Sequence, residues 1–404
     1  MIKRRHLLKS ILALPFVGGL INSRIAAGQP NERLIFARDY FKELGLRSFI
    51  NAAGTYTSLT GCLMRPEVMD AIQYASQQYV RLEDIQDRAG ARLAELLHCE
   101  DAMVTAGAFS AITLGTAGVL TGMDRKKAAQ IPNDLSGMKS EVILQKSHNI
   151  GYTHAVRNTG VKLIEVETRK DLEKAINSKT AMLWYLNSHS EKSQISHEEF
   201  IAIAKKHGIP TMNDCAADVP PIENLWKYTK MGYDLVCFSG GKGIRGPQSA
   251  GLLLGRKDLI QAARISAPPN GDTVGRGMKV NKEEVLGMLI AIETFLAEDH
   301  EKVWALWEKQ IKLIGDRAKS VKGVEIEIHV PEIANHVPSL RIRWDQKQIK
   351  ITPPEMRDAL LNGHPSIETK GGAESVDITT WMMNPGEERI VAERIGNLLN
   401  DASI

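Results

Sequence analysis

Leu235-Val236-Cys237-Phe238-Ser239-Gly240-Gly241-Lys242-Gly243-Ile244-Arg245-Gly246-Pro247 is the stretch on which the fold of this chain turns. Four apolar residues make a strand, and the glycines that follow put a lysine on a tight, backbone-exposed turn at its carboxyl end. Open α/β sheets bind their ligands at such ends. Upstream, Ile209-Pro210-Thr211-Met212-Asn213-Asp214-Cys215-Ala216 is a second apolar run that finishes on a carboxylate. Neighbouring strands lie about 4.8 Å apart, so an amine and a carboxylate at adjacent tips reach opposite parts of one planar ring. Taken alone, Lys242 reads equally well as a surface-loop lysine and Asp214 as the cap of a turn. Their order along the chain is the specific signal. The loop is no Walker motif, because Gly243 stands where Ser or Thr is required, and no GxGxxG opens the first βα unit.

From residue 101 onward, apolar runs at 102–105, 142–144, 161–166, 181–186, 209–212, 235–238 and 251–254 read as strands, with helical spacing at 110–120, 171–177 and 198–207. Strands joined by helical crossovers make a largely parallel sheet covered on both faces. The connection from 238 to 251 has no room for a helix, so that pair suits an antiparallel arrangement. Helices are expected at 34–44, from Pro66 to about 79, and at 84–97, 282–298 and 302–320, with strands near 325–329, 339–344 and 376–380. The expected organisation is an α/β fold with a leader at 1–28, an N-terminal arm and large domain at 29–300, and a smaller α+β domain at 301–404.

An amine and a carboxylate gripping one heterocycle are what pyridoxal 5′-phosphate (PLP) requires. The amine forms a Schiff base, and the carboxylate keeps the pyridine nitrogen protonated so that the ring accepts an electron pair from the substrate Cα. Lys242 and Asp214 are the candidates for these roles. Ala216 is small enough to leave room for the ring. His148, after the strand at 142–144, is a candidate for its other face, with a satisfied polar histidine as the alternative. The phosphate needs backbone N–H groups at a helix start. Thr105-Ala106-Gly107-Ala108-Phe109-Ser110 supplies strand, turn and helix in that order, although singly it is an ordinary βα connection. Ser239 adds a hydroxyl.

Composition narrows the partners. With 404 residues, 43% of them hydrophobic, the chain is long enough for one large core and a smaller domain. Five of its 51 basic residues lie in 1–28 with no acid among them, which leaves 46 against 48 acidic residues in the remainder. Such a balance gives no electrostatic case for nucleic acid, and a small-molecule substrate is expected. Arg4-Arg5 precedes an apolar run from Ile11 to Ile21 and the small residues Ala26-Ala27-Gly28. That run is about half of the ~20 residues a bilayer span needs, which suits a signal peptide rather than a stable anchor. It resembles a twin-arginine export signal, implying a periplasmic protein; an ordinary basic amphipathic helix is the alternative. Cys62, Cys99, Cys215 and Cys237 form no CxxC pair, so core thiols are expected and no metal site.

The runs 214–221 and 232–251, supported by 51–57, 105–110 and Gly275-Arg276-Gly277-Met278-Lys279-Val280, resemble the selenocysteine synthase-like branch of fold-type I PLP enzymes. That branch holds bacterial seryl-tRNA selenium transferase and D-glucosaminate-6-phosphate ammonia-lyase, and the resemblance covers roughly residues 48–300. It implies an aspartate aminotransferase-like fold, a homodimer or higher homo-oligomer, Lys242 as the Schiff-base residue and Asp214 as the pyridinium partner. It also offers Arg276 as a phosphate or substrate contact and Arg341 as a substrate-carboxylate contact, with surface or ion-paired arginines as alternatives. Selenium transferases of this branch recognise tRNA through a domain ahead of the PLP fold, and here only about twenty residues separate the signal from the matching core. The implied activity is therefore a PLP-dependent lyase acting on an amino acid or amino-sugar acid. The alternatives are a selenium transferase or aminotransferase, or a racemase or aldolase.

Overall fold

The computed structural model describes residues 38–404. The segment 1–28 and the start of the helix expected at 34–44 lie outside the described residues. Of that helix the structure has Tyr40–Glu43, capped by the Asp39 side chain accepting from the Lys42 N–H. It belongs to a unit ending at Arg47, and all that follows concerns the second unit, Ser48–Ile404.

In chain order the strands are β1 (Phe49–Asn51), β2 (Asp101–Thr105), β3 (Glu141–Gln145), β4 (Lys162–Val166), β5 (Thr180–Leu186), β6 (Thr211–Asp214), β7 (Leu235–Ser239), β8 (Gly251–Gly255), β9 (Val324–His329), β10 (Ser339–Trp344), β11 (Ser366–Glu368) and β12 (Val376–Thr379). Seven of them form one sheet in the order β2-β8-β7-β6-β5-β3-β4. The pairs from β7 through β4 are parallel, whereas β8 runs antiparallel to both β7 and β2. The strand expected at 209–212 begins two residues later, because Pro210 has no N–H to give the ladder, and it runs on to Asp214.

Side chains alternate across the sheet with period two. Leu183, Tyr185, Val236 and Phe238 enter one core, while Met182, Trp184, Leu235 and Cys237 enter the other. Every residue of β5 is buried, as a central strand covered on both faces must be. Helix Gly107–Thr121 covers one face and helix Lys282–Ala297 the other. The latter starts at a capping box formed by Asn281 and Glu284.

A second, antiparallel sheet has the order β12-β10-β9 and a core of its own that includes Ile311, Leu340, Ile342, Ile378 and Ile395. Ile50 and Ala52 are buried in that core too, because β1 pairs in parallel with β11. The chain thus touches the C-terminal sheet before it builds the large one, and the segment after β1 is carried back toward the large sheet's strand ends.

Candidate active site

Asp214 is the last residue of β6 and stands in register with Cys237 of β7. Its carboxylate is 4% exposed. One oxygen accepts from the Ala216 N–H at 3.1 Å and from the Cys237 thiol at 3.6 Å. Lys242 follows β7 in a turn held by Gly240 N–H to Ala250 O at 2.9 Å, Arg245 N–H to Lys242 O at 2.9 Å and Gly246 N–H to Gly240 O at 2.8 Å. Gly243 is required there, since a Cβ would lie 2.2 Å from the Val219 carbonyl oxygen. Burial lowers the Lys242 pKa toward the neutral amine, opposed by the charges of Asp214, Asp218 and Cys237. Burial raises the Asp214 pKa, opposed by the Ala216 N–H and by the Lys242 charge. Each charge is costly alone in this pocket and is supported by the other.

Lys242 and Ser239 line one cavity of about 340 Å3 with Thr55, Thr57, Gln248 and Ser249. The last four lie in the runs 51–57 and 232–251 that carry the resemblance, but were not singled out as site residues. The Gln248 amide anchors the N-terminal segment by donating to the Thr57 carbonyl at 3.2 Å. The Ala106-Gly107-Ala108 turn adjoins this cavity. Ala106 is the N-cap of helix Gly107–Thr121, and no side chain caps its first-turn N–H groups. At Gly251 a Cβ would meet the Gly107 carbonyl carbon at 2.5 Å and the Ala108 nitrogen at 2.7 Å, so β8 starts directly against the turn.

A second carboxyl was missed in the sequence. Asp218 is 2% exposed, and neither of its oxygens has a hydrogen-bond partner, although Asn187 and the Cys215 thiol lie beside it. Burial first, and then the Asp214 charge, push its pKa up to about 7. The Asn187 amide donates to Tyr228 Oη at 2.7 Å, which leaves Asn187 Oδ1 buried without a donor. The neighbouring Asn187 side chain opposes that rise in the Asp218 pKa.

Three other expected residues do not line the Lys242 cavity. His148, expected against a cofactor face, has no exposed surface. It accepts from the Leu186 N–H at 3.3 Å, lies 2.7 Å from Ser193 Oγ, and packs edge-on to Tyr185 at 4.4 Å. Burial pushes it down to about 3, a neutral, structurally engaged imidazole. Arg341, expected on a substrate carboxylate, is instead ion-paired. Asp377 at 3.2 Å and Glu327 at 3.5 Å face it from the two flanking strands and raise its pKa. Arg276 is exposed in a turn where its N–H bonds Thr273 O at 3.1 Å, and it does not line the Lys242 cavity.

What remains fits PLP: a half-buried lysine biased toward its free amine, a buried carboxylate within its electrostatic reach, Ala216 beside that carboxylate, and an uncapped helix start for the phosphate. The similarities of the chain agree with this. A family model described as L-seryl-tRNA selenium transferase matches residues 49–323. D-Glucosaminate-6-phosphate ammonia lyase of Salmonella typhimurium is 29% identical over 379 residues, 90% of this chain and 98% of that protein. A 5′-C-glycyluridine monooxygenase-decarboxylase from Streptomyces is 27% identical over 377 residues, covering 89% and 92%. A solved D-glucosaminate-6-phosphate ammonia-lyase superposes with a TM-score of 0.80 at 26% identity over 91% of this chain and 99% of that one. A serine palmitoyltransferase holding PLP as an internal aldimine, at a TM-score of 0.55 and 16% identity over 88% of each chain, shares the fold alone.

Proposed function

Because this chain belongs to the L-seryl-tRNA selenium transferase family, we propose that it is a PLP-dependent lyase that eliminates or deaminates an amino acid or amino-sugar acid. Its fold and cofactor are those of fold-type I PLP enzymes. One observation carries the proposal. A half-buried lysine just after β7 and a buried carboxylate at the end of β6 stand within electrostatic reach of each other, in a chain similar along nearly its whole length to an ammonia lyase named for D-glucosaminate 6-phosphate.

When bound, PLP supplies an electron sink for the pair released at the substrate Cα. Lys242 would hold it covalently, Asp214 would hold a proton on its ring nitrogen, and the start of helix Gly107–Thr121 would take its phosphate. The Lys242 amine, favoured in its neutral form by burial, is the base that takes the Cα proton and the acid that returns one to the group leaving Cβ. Thr57, Ser239 and Gln248 supply hydroxyl and amide groups for orientation around the same cavity. Incubation with amino acids and with D-glucosaminate 6-phosphate, without any amino acceptor, is expected to release ammonia and a keto acid in equal amounts. Turnover that depends on an amino acceptor would refute elimination in favour of an aminotransferase.

The same proposal extends to location and assembly. Residues 1–28, with Arg4 and Arg5, act as a twin-arginine export signal delivering the protein to the periplasm. A reporter fused to residues 1–30 should lose export when both arginines become lysine, and unchanged export would refute this. No described helix is long and apolar enough to cross a membrane. The large exposed side chains of Leu63, Met69, Tyr74 and Tyr79 support a homodimer or higher assembly, and a monomer by light scattering would refute it. Residues 301–404 form the smaller domain, into whose core Ile50 and Ala52 reach.

A further inference from the structure

The carboxyl of Asp218 is the buried titratable group that the chemistry above leaves unused. It stands on the turn that follows Asp214: the Asp218 N–H bonds the Cys215 carbonyl at 3.1 Å, and the Ala216 N–H bonds the Asp214 carboxylate at 3.1 Å. The Asn224 amide donates to the Asp218 carbonyl at 2.7 Å, and the Asn335 N–H to the Ala217 carbonyl at 2.8 Å. Next along the chain, Val219 abuts the turn of the lysine, since a Cβ on Gly243 would lie 2.2 Å from the Val219 carbonyl oxygen. The backbone around Asp218 is thus fixed against that of Asp214 and that of Lys242.

Its side chain is fixed there without being spent. Both oxygens are buried with no hydrogen-bond partner, an unfavourable placement for a carboxyl. The titratable groups that face it are Asp214 of β6, Lys242 after β7, the Cys215 and Cys237 thiols and the Tyr228 phenol of helix Asn224–Met231. Burial pushes the pKa of both thiols and of the phenol up, which keeps them neutral. Asp214, Asp218 and Lys242 are left as the charges of the cluster, and each carboxylate favours the positive form of the lysine.

We propose that Asp218 is a positioning residue for the reaction, a second carboxylate on the turn after Asp214 that holds the proton on the Lys242 nitrogen. It rests on the reading of Lys242 as the base and acid of the lyase. That amine must be neutral to take a proton from Cα, and must then keep it until the group on Cβ leaves. Once Asp214 is neutralised by the ring proton it would hold, Asp218 supplies the remaining negative charge of the cluster. Because Asp218 keeps its own proton up to about 7, this support is absent in acid and present above neutrality.

The holoenzyme is titrated from about pH 6 to 10, and the yellow absorbance of PLP bound to Lys242, which reports the proton on the Schiff-base nitrogen, is followed. In Asp218→Asn the midpoint should fall by at least about half a unit, because a neutral amide no longer favours the cation. Asn187→Ala, on a different element, removes a group that favours the charged form of Asp218 and should move the midpoint the same way. Cys215→Ala changes the packing beside Asp218 but no charge, and should leave the midpoint in place. The full chain freed of PLP with hydroxylamine gives a second reading: acetylation of Lys242 by acetic anhydride, mapped by mass, should begin at lower pH in Asp218→Asn than in the parent. Midpoints and acetylation unmoved in both Asp218→Asn and Asn187→Ala, or moved as far by Cys215→Ala, overturn the proposal. Neither reading needs a substrate. If they move as expected while no substrate releases ammonia, the lyase fails and the role of Asp218 at the lysine stands; if ammonia is released while they stay unmoved, the role of Asp218 fails and the lyase stands.

Discussion

Replacing Asp218 with asparagine should make the protein more stable at alkaline pH and reverse much of that advantage as the pH falls. In the native chain Asp218 keeps its proton up to about pH 7, because burial and the Asp214 charge raise it from an ordinary 3.8. The unfolded chain releases that proton near 3.8, so between the two values the unfolded state binds fewer protons and native stability declines as pH rises. Each unit corresponds to about 1.4 kcal/mol. Between pH 5 and the plateau above 7 the decline approaches about 3 kcal/mol, as an upper bound for a group coupled to Asp214 and Lys242. Asparagine has no such proton to release, so the variant does not share this decline. With an unfolding entropy of about 2.1 cal/mol/K per residue, the midpoint difference between variant and parent should grow by about 3 °C from pH 5 to pH 8. Thermal melts of the two proteins across that range measure it. A difference independent of pH, or a variant less stable at pH 8, would mean that Asp218 is an ordinary ionised carboxylate.

Lys242→Ala should abolish covalent retention of PLP, seen as loss of the borohydride-reducible adduct in mass mapping, and lower turnover by about 100- to 10,000-fold; an unaltered yellow protein with full activity would refute the assignment. Gly251→Ala drives a Cβ to 2.5 Å from the Gly107 backbone, so equilibrium dialysis should show PLP affinity reduced at least tenfold, and unchanged affinity would separate the turn from the phosphate. Arg341→Met should leave KM within about twofold while lowering the melting midpoint, since the side chain is paired with Asp377 and Glu327; a tenfold rise in KM would restore it as a substrate contact.

The lysine and carboxylate were legible because each sits at the end of a strand that its own neighbours define, so only strand adjacency had to be inferred. His148 was not, because its partners Leu186 and Ser193 come from 38 and 45 residues further along. The ion pairs of Arg341 were hidden for a related reason: Asp377 and Glu327 face it through cross-strand register, which exists only once the order β12-β10-β9 is known. Thr55 and Thr57 reach the site because β1 is held by β11 more than 300 residues later, a pairing that three-residue strands do not announce. Asp218 looked like one more polar residue after Asp214, and only the buried side chains around it make it a carboxyl worth a proton.

The antiparallel β8 has a mechanical consequence. Gly251 stands opposite Ser239 on one side and Thr105 on the other, so a single strand is the common axle of the turn that carries the amine and the turn proposed for the phosphate. The span between tether and cradle is therefore gauged by two backbone ladders, whatever side chains surround it. A lineage built on this frame can exchange the walls around a substrate and change what is transformed, while the place at which the transformation happens stays put.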